Sequence, residues 1–214
     1  MDDAFLIIKI SQSPLNNYYH QEYILKMTKS ELRKLYLQNR LSISEEDYYN
    51  FNAQICNQFF SAIDVSLINV IHTYLAIEKK REPDTWMIID RIKKEFPNVR
   101  ISIPRVKNNV LENFYFEGRH QLEKNSWGIL EPKHGMPTPT DKIDLVLVPL
   151  LAFDKSGARV GYGKGFYDMF LKECRPDCKK VGLSFFEPVE QIDDTNEFDI
   201  NLTHCITPTK LYQF

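Results

Sequence analysis

Four of the chain's eight glycines, Gly157, Gly161, Gly163 and Gly165, fall within nine residues. They belong to the run Phe153-Asp154-Lys155-Ser156-Gly157-Ala158-Arg159-Val160-Gly161-Tyr162-Gly163-Lys164-Gly165-Phe166-Tyr167-Asp168. Glycine at every second position lets the backbone approach a phosphate and offer it successive N–H groups. Arg159 and Lys164 add positive charge. Asp168 could hold a magnesium ion, which favours one or two carboxylates together with phosphate oxygens. The familiar phosphate motifs do not fit. A Walker A loop needs Gly-x4-Gly-Lys-Ser/Thr, yet Lys164 is followed by Gly165, and Ala158 stands where the first glycine belongs. A dinucleotide fingerprint needs a third glycine where Phe166 stands. The residues alone leave two readings open: an anion site, or a tight strand-to-helix turn beside a solvated Lys164.

The elements around this run read as alternating strands and helices. The apolar stretch Ile143 to Pro149 precedes it and reads as a central parallel strand. A helix from about Phe166 to Cys174 follows, so the glycines lie where a strand ends and a helix begins, the usual ligand position in open α/β sheets. Upstream, Thr28-Lys29-Ser30-Glu31 is a capping box that opens a helix to Arg40. Ser44 with Glu45, Glu46 and Asp47 opens another, to about Ala62. Ile68 to Tyr74 reads as a buried strand, Glu78 to Pro83 as a charged loop, and Asp84 as the cap of a helix over Thr85 to Phe96. Val99 to Ile103 reads as a strand and Val110 to Phe116 as an edge strand. The proline-rich stretch 124–142 reads as a long loop. Lys180 to Phe186 is a further strand, and Cys205 to Thr207 a short last one. The pattern predicts a single α/β domain with an open, mainly parallel sheet and helices on both faces.

Composition removes several function classes. The chain's 27 Lys and Arg against 29 Asp and Glu give a net charge of −2, which argues against a broad nucleic-acid surface. The longest apolar run, Leu145 to Phe153, is far short of the ~20 residues of a membrane span. Asp2 and Asp3 stand where a signal peptide would carry positive charge. Cys56, Cys174, Cys178 and Cys205 read as free thiols, and Cys174-x3-Cys178 lacks the second pair that zinc would need. The protein is expected to be cytoplasmic and monomeric, with no nucleic-acid or membrane partner. Residues 1–26 look unlike the rest, and Met27 is read as the natural start of a domain over 27–214.

The glycine run, following an apolar strand that ends in proline, resembles the 5-formyltetrahydrofolate cyclo-ligase family, also called 5,10-methenyltetrahydrofolate synthetases. The resemblance spans about residues 28 to 207. Its other landmarks are Lys29 and Arg33 on the first helix, Glu82-Pro83-Asp84-Thr85, Ile103-Pro104-Arg105, Trp127-Gly128-Ile129-Leu130-Glu131-Pro132 and a late Asp199. It implies a layered, Rossmann-like fold related to sugar-phosphate isomerases and CoA transferases. It also implies an ATP- and Mg²⁺-dependent closure of 5-formyltetrahydrofolate to 5,10-methenyltetrahydrofolate, with release of ADP and phosphate. In the family mechanism the formyl oxygen attacks the γ-phosphate, N10 attacks the resulting iminium phosphate, and phosphate leaves.

Carried onto this chain, the resemblance makes Arg159, Lys164 and Tyr167 the catalytic residues. ATP would be bound by Lys29, Arg33, Arg159, Gly161, Tyr162, Gly163, Lys164, Gly165, Phe166 and Tyr167. Leu75, Glu82 and Tyr167 would contact the folate, and Asp168 and Asp199 would be the magnesium ligands. Trp127 would pack or flank the folate. The chain departs from the family in Phe166 for a second tyrosine, in the bulky turn Leu150-Leu151-Ala152, and in Thr203 where an aspartate is common. Its loop before Glu82 is long and carries Lys79, Lys80 and Arg81, which are expected to lie near the anionic tail of a polyglutamylated folate. Rival readings are a sugar-phosphate isomerase or CoA-transferase-like enzyme on the same architecture, or a nucleotide-binding regulator.

Overall fold

The structure, a computed structural model, describes residues 27–126 and 128–214. The expectations for 1–26 and for Trp127 therefore lie outside the described residues. Thr28 caps α1 (Lys29–Leu41) through the full capping box with Glu31. Ser44 caps α2 (Glu45–Ala62), and Asp84 caps α3 (Thr85–Glu95). These three starts fall where the sequence put them, because a cap is satisfied by amides two or three residues away. The fourth helix, α4 (Phe166–Glu173), follows the glycine loop.

The strands are β1 (Val70–His72), β2 (Arg100–Lys107), β3 (Val110–Tyr115), β4 (Leu122–Lys124), β5 (Leu130–Pro132), β6 (Leu145–Val148), β7 (Ala152–Phe153), β8 (Arg159–Val160), β9 (Lys179–Leu183), β10 (His204–Ile206) and β11 (Leu211–Gln213). Seven form one sheet in the order β11-β10-β9-β6-β1-β2-β3. Its five inner strands run parallel, and β3 and β11 close the edges antiparallel. Along β6 every residue is buried. Leu145 and Leu147 meet Ile55, Phe59, Ile88 and Ile92 of α2 and α3. Val146 and Val148 meet Phe170 and Leu171 of α4 on the other face. Burial on both faces explains why the strand reads as an unbroken apolar run. Helix α1 lies apart from the sheet: its Leu32 packs with Ala152, Val160 and Ile192.

Several boundaries differ from the sequence reading. Strand β2 continues through Pro104 to Lys107, because Pro104 falls beyond Ser102, the last residue paired with β1. On that open side a missing N–H breaks no ladder. The stretch 124–142 is not all loop, since β4 and β5 form a hairpin within it. Its turn is closed by Asn125, whose Oδ1 accepts from the Ile129 amide. Strand β10 is not the last, because β11 returns along it. The lead-in to the glycine loop is itself the two-residue hairpin β7–β8. Buried Asp154 organises that turn, its Oδ1 accepting from the Ser156 and Ala158 amides and its Oδ2 from Ile192.

The turn after β6 also shows how the chain accommodates its bulky leucines. A Cβ on Gly182 would stand 2.6 Å from Leu150 Cδ2 and 2.8 Å from Leu202 Cδ1, so this glycine makes room for Leu150. Among the described residues no helix is long and apolar enough to cross a membrane.

His72, at the end of β1, is fully buried beneath α4, with its ring 4.6 Å from that of Phe170. Its Nε2 bonds Asn113 Oδ1 at 2.9 Å, while Nδ1 has no partner among the described residues. Burial drives its pKa down to about 3. The folded chain thus excludes a proton that the unfolded chain takes up below about pH 6.5. This contribution to stability is complete above that pH and is lost as pH falls towards 3. At pH 5 the loss from this residue should be about 2 kcal/mol, at ~1.4 kcal/mol per pH unit. Urea unfolding at a series of pH values should show a steeper acid decline for wild type than for His72→Leu; equal slopes would contradict the assignment.

Candidate active site

The loops after β1 and β6 meet at the carboxyl end of the parallel strands and present two contrasting surfaces. One is cationic and rich in backbone amides. Gly165 takes a left-handed conformation (φ +71°) as N-cap of α4, and no side chain among the described residues caps the helix. The first intrahelical bond runs from the Met169 amide to Gly165 O, so the amides of Phe166, Tyr167 and Asp168 precede it. Such a terminus attracts an anion. Lys164 is exposed beside it. From α1, Arg33 Nε donates to Gly161 O at 2.9 Å. Gly163 has φ +82°, and a Cβ there would meet the Arg33 guanidinium at 3.2 Å. The glycine at 163 thus serves both the turn and the close approach of the arginine.

Beside this surface stand Asp168 and Asp199. Asp168 Oδ1 accepts from Arg159 Nη2 at 2.7 Å and from the Ile200 amide at 3.1 Å. The same guanidinium, with its side chain only 5% exposed, also donates through Nη1 to Ile200 O. Arg159 is therefore turned inward, to Asp168 and the 196–200 loop. Asp199 Oδ2 accepts from Lys29 Nζ at 2.5 Å and from the Asn196 amide at 2.7 Å. Partial burial opposes the charge of Asp199, but Lys29, the Asn196 amide and Arg159 outweigh it and hold the carboxyl below its ordinary range. Asp168 Oδ2 and Asp199 Oδ1 have no hydrogen-bond partner among the described residues. Those residues contain no cluster of three or more His, Cys, Asp or Glu able to hold a metal by themselves. Two carboxylates, each with an oxygen to spare, beside a phosphate-type loop fit a Mg²⁺ that completes its shell with phosphate oxygens and water.

The second surface centres on Glu82, which is 3% exposed. Its Oε2 accepts from the Ile77 amide at 2.7 Å and its Oε1 from the Tyr162 hydroxyl at 2.5 Å. Its backbone carbonyl accepts from Tyr48 Oη at 2.7 Å. Burial pushes the Glu82 carboxyl up, and the bonds from Tyr162 and Ile77 and the charges of Arg40 and Lys80 oppose the rise. An ionised carboxylate has about four acceptor positions, so two remain for a ligand's N–H groups.

Tyr167, one residue into α4, has a buried hydroxyl with no partner among the described residues. Burial, and next the charge of Glu82, raise its pKa, so it stays a donor. Its ring meets those of His72 and Phe170 edge-on. Leu75 is buried in the main core behind this surface. Phe166 is half-buried at the start of α4.

The structure brings Arg33 to Gly161 and Gly163, Lys29 to Asp199, Arg159 to Asp168 and Tyr162 to Glu82, but it spends some of the residues the sequence singled out differently. The Tyr162 side chain leaves the glycine loop for Glu82. Arg81 bonds Glu45 and the Ser44 carbonyl and lies over the Tyr48 ring, and Lys80 Nζ sits 3.8 Å from the Tyr162 ring centre. Of the three bases assigned to an anionic tail, Lys79 is the one that is exposed with no such contact among the described residues. Thr203 ties the end of β9, its Oγ1 accepting from the Lys180 amide at 2.9 Å.

Sequence reasoning missed Arg40, which reads as a charge at a helix C-terminus. It is 3% exposed, and its guanidinium donates to Lys80 O at 2.8 Å, to Leu150 O at 3.1 Å and to Tyr162 Oη. No local pattern marks it, because its partners lie 40 to 122 residues away.

The model of the 5-formyltetrahydrofolate cyclo-ligase family matches residues 25–208. A Schizosaccharomyces pombe protein described as a probable 5-formyltetrahydrofolate cyclo-ligase is 30% identical over 206 residues, covering 87% of this chain and 98% of its own. The Escherichia coli K12 5-formyltetrahydrofolate cyclo-ligase is 25% identical over 183 residues, covering 83% of this chain and 98% of its own. Among solved structures, the NMR structure of Aquifex aeolicus 5,10-methenyltetrahydrofolate synthetase superposes with a TM-score of 0.76 at 28% identity, over 87% of this chain and 93% of that one.

The glycine geometry makes a direct forecast. Gly163→Ala should weaken binding of a fluorescent ATP analogue at least about tenfold, ~1.4 kcal/mol, by straining the turn and displacing Arg33. Gly161→Ala, where a Cβ meets nothing within 4 Å, should cost much less. Equal losses in the two variants would contradict this account of the loop.

Proposed function

The chain belongs to the 5-formyltetrahydrofolate cyclo-ligase family and is a ligase, and from that premise we propose that it closes 5-formyltetrahydrofolate to 5,10-methenyltetrahydrofolate with ATP as phosphoryl donor. The proposed unit is the domain over 27–214, acting in the cytoplasm, where its four free cysteines would stay reduced. The observation that carries the reading is Tyr167. Its buried hydroxyl has no partner among the described residues, it sits in the amide-rich first turn of α4, and the nearby charge of Glu82 helps keep it protonated. A substrate that joins a pterin-like ring to a phosphoryl acceptor would occupy both surfaces and satisfy that hydroxyl.

The chemistry follows from what a formamide lacks. Its oxygen is a poor nucleophile and a worse leaving group. Phosphoryl transfer asks the protein chiefly for positioning and charge neutralisation. In the proposed reaction Glu82 pairs with ring N–H groups of the folate and fixes the formyl group. The Tyr167 hydroxyl donates to the substrate. The amides of the glycine loop and of Phe166, Tyr167 and Asp168 hold the triphosphate, with Lys164, Arg33 and Lys29 supplying charge. The formyl oxygen takes the γ-phosphoryl group as its bond to ADP breaks. N10 then attacks the formyl carbon and gives up its proton, the carbon–oxygen bond breaks, and the oxygen leaves in phosphate, which carries the proton away as hydrogen phosphate. Asp168 and Asp199 would hold Mg²⁺, which neutralises phosphate charge when bound. Arg159 contributes by fixing Asp168. Lys79 is the base left to meet a polyglutamate tail.

Protein mixed with MgATP and 5-formyltetrahydrofolate should give an ATP-dependent rise in methenyl absorbance in the near ultraviolet. Lys164→Ala and Asp168→Ala should each lower turnover at least about tenfold, ~1.4 kcal/mol. Wild-type turnover in both variants would reject the phosphate-site assignment. If Glu82 must be ionised to bind, the folate KM should climb on acidification, beginning at a higher pH than for a free glutamate because burial raises its pKa. In Glu82→Gln that rise should be absent.

A further inference from the structure

Tyr162 is an odd residue for a phosphate loop. It lies between Gly161, whose carbonyl Arg33 holds, and Gly163, against which Arg33 packs. Anion binding there uses backbone amides and asks nothing of a tyrosine side chain. Yet that side chain is fully engaged elsewhere. Its hydroxyl donates to Glu82 Oε1 and accepts from Arg40 Nη2, and Lys80 covers its ring. The residue therefore has its backbone in the nucleotide surface and its hydroxyl in the folate surface.

Arg40 reinforces the connection. From α1 it also grips the carbonyls of Lys80, two residues before Glu82, and of Leu150, in the turn after β6. One buried guanidinium thus joins the chain segments that carry both ligand surfaces. A buried charge with this many partners cannot give up one bond cheaply. A shift of the glycine loop must move the Tyr162 hydroxyl, and with it the Glu82 carboxylate.

We infer that Tyr162 and Arg40 are positioning residues that couple the nucleotide and folate halves of the site, so that each ligand tightens the binding of the other. The inference rests on the function proposed above. Linkage makes the effect reciprocal.

Calorimetric titration of 5-formyltetrahydrofolate, with and without a saturating non-hydrolysable ATP analogue and Mg²⁺, tests it. In wild type the analogue should tighten folate binding at least about fivefold, the low end of allosteric coupling. Tyr162→Phe keeps the ring and its contact with Lys80 but loses the hydroxyl. The coupling, the ratio of folate affinities with and without the analogue, should fall to near unity. A purely structural loss would weaken both affinities and leave that ratio at the wild-type value. Arg40→Lys, which cannot reproduce the planar fork, should lower the coupling in the same direction. If wild type binds both ligands without coupling, or Tyr162→Phe keeps the coupling, the link is wrong and the proposed function stands. If folded wild type binds neither ligand, the proposed function falls and the link falls with it.

Discussion

The Arg159–Asp168 ion pair is the interaction on which the cationic half of the site depends. Arg159 comes from the short strand β8, Asp168 from the first turn of α4, and both bond Ile200, next to Asp199. One guanidinium ties these three segments together beside the loop. Removing one member of such a pair leaves a charge without its partner, at about 3–5 kcal/mol for a fully buried pair and less here, where Asp168 is 30% exposed. The pair also decides which oxygen of Asp168 is spent and which remains for a ligand. The helix start that should meet phosphate is thus oriented from behind, by a residue that faces away from solvent.

The other half is built on the same plan with opposite charge. Glu82 is a buried carboxylate held by an amide and a phenol rather than by a direct ion pair. Its partners leave it acceptor capacity, and Arg40 supplies compensating charge from one bond further away. A direct arginine contact would have satisfied the carboxylate and left less for a substrate. Tyr162 therefore serves as a spacer as well as a link. Both halves rest on α1, through Arg33 and Lys29 to one and Arg40 to the other. This accounts for a helix that packs on the β7–β8 hairpin rather than on the sheet.

What was legible in the sequence was local. The caps Thr28, Ser44 and Asp84 act within one helical turn, and the β6 run declares burial on both faces. The position of the glycine loop followed from both. The elements that escaped are short and held by distant partners. The β7–β8 hairpin has two residues per strand, and the buried carboxylate of Asp154 shapes its turn. The β4–β5 hairpin hides among prolines. The site residues split in the same way. Lys29, Arg33, Glu82 and Asp199 were named through the family resemblance, since nothing in their own neighbourhoods distinguishes them. Arg40 was invisible because its helix places it where a solvated cation is ordinary, while its partners come from three loops. Tyr162 was found for its backbone, and its hydroxyl's destination required the fold.

The central claim is that the cationic surface delivers a phosphoryl group to an oxygen held at the Glu82 surface. The fate of that oxygen is the direct test. With 5-formyltetrahydrofolate carrying ¹⁸O in the formyl group, a single turnover with ATP should place the label in the released inorganic phosphate, detected by its ³¹P isotope shift. Label appearing in water, with phosphate unlabelled, would contradict the account.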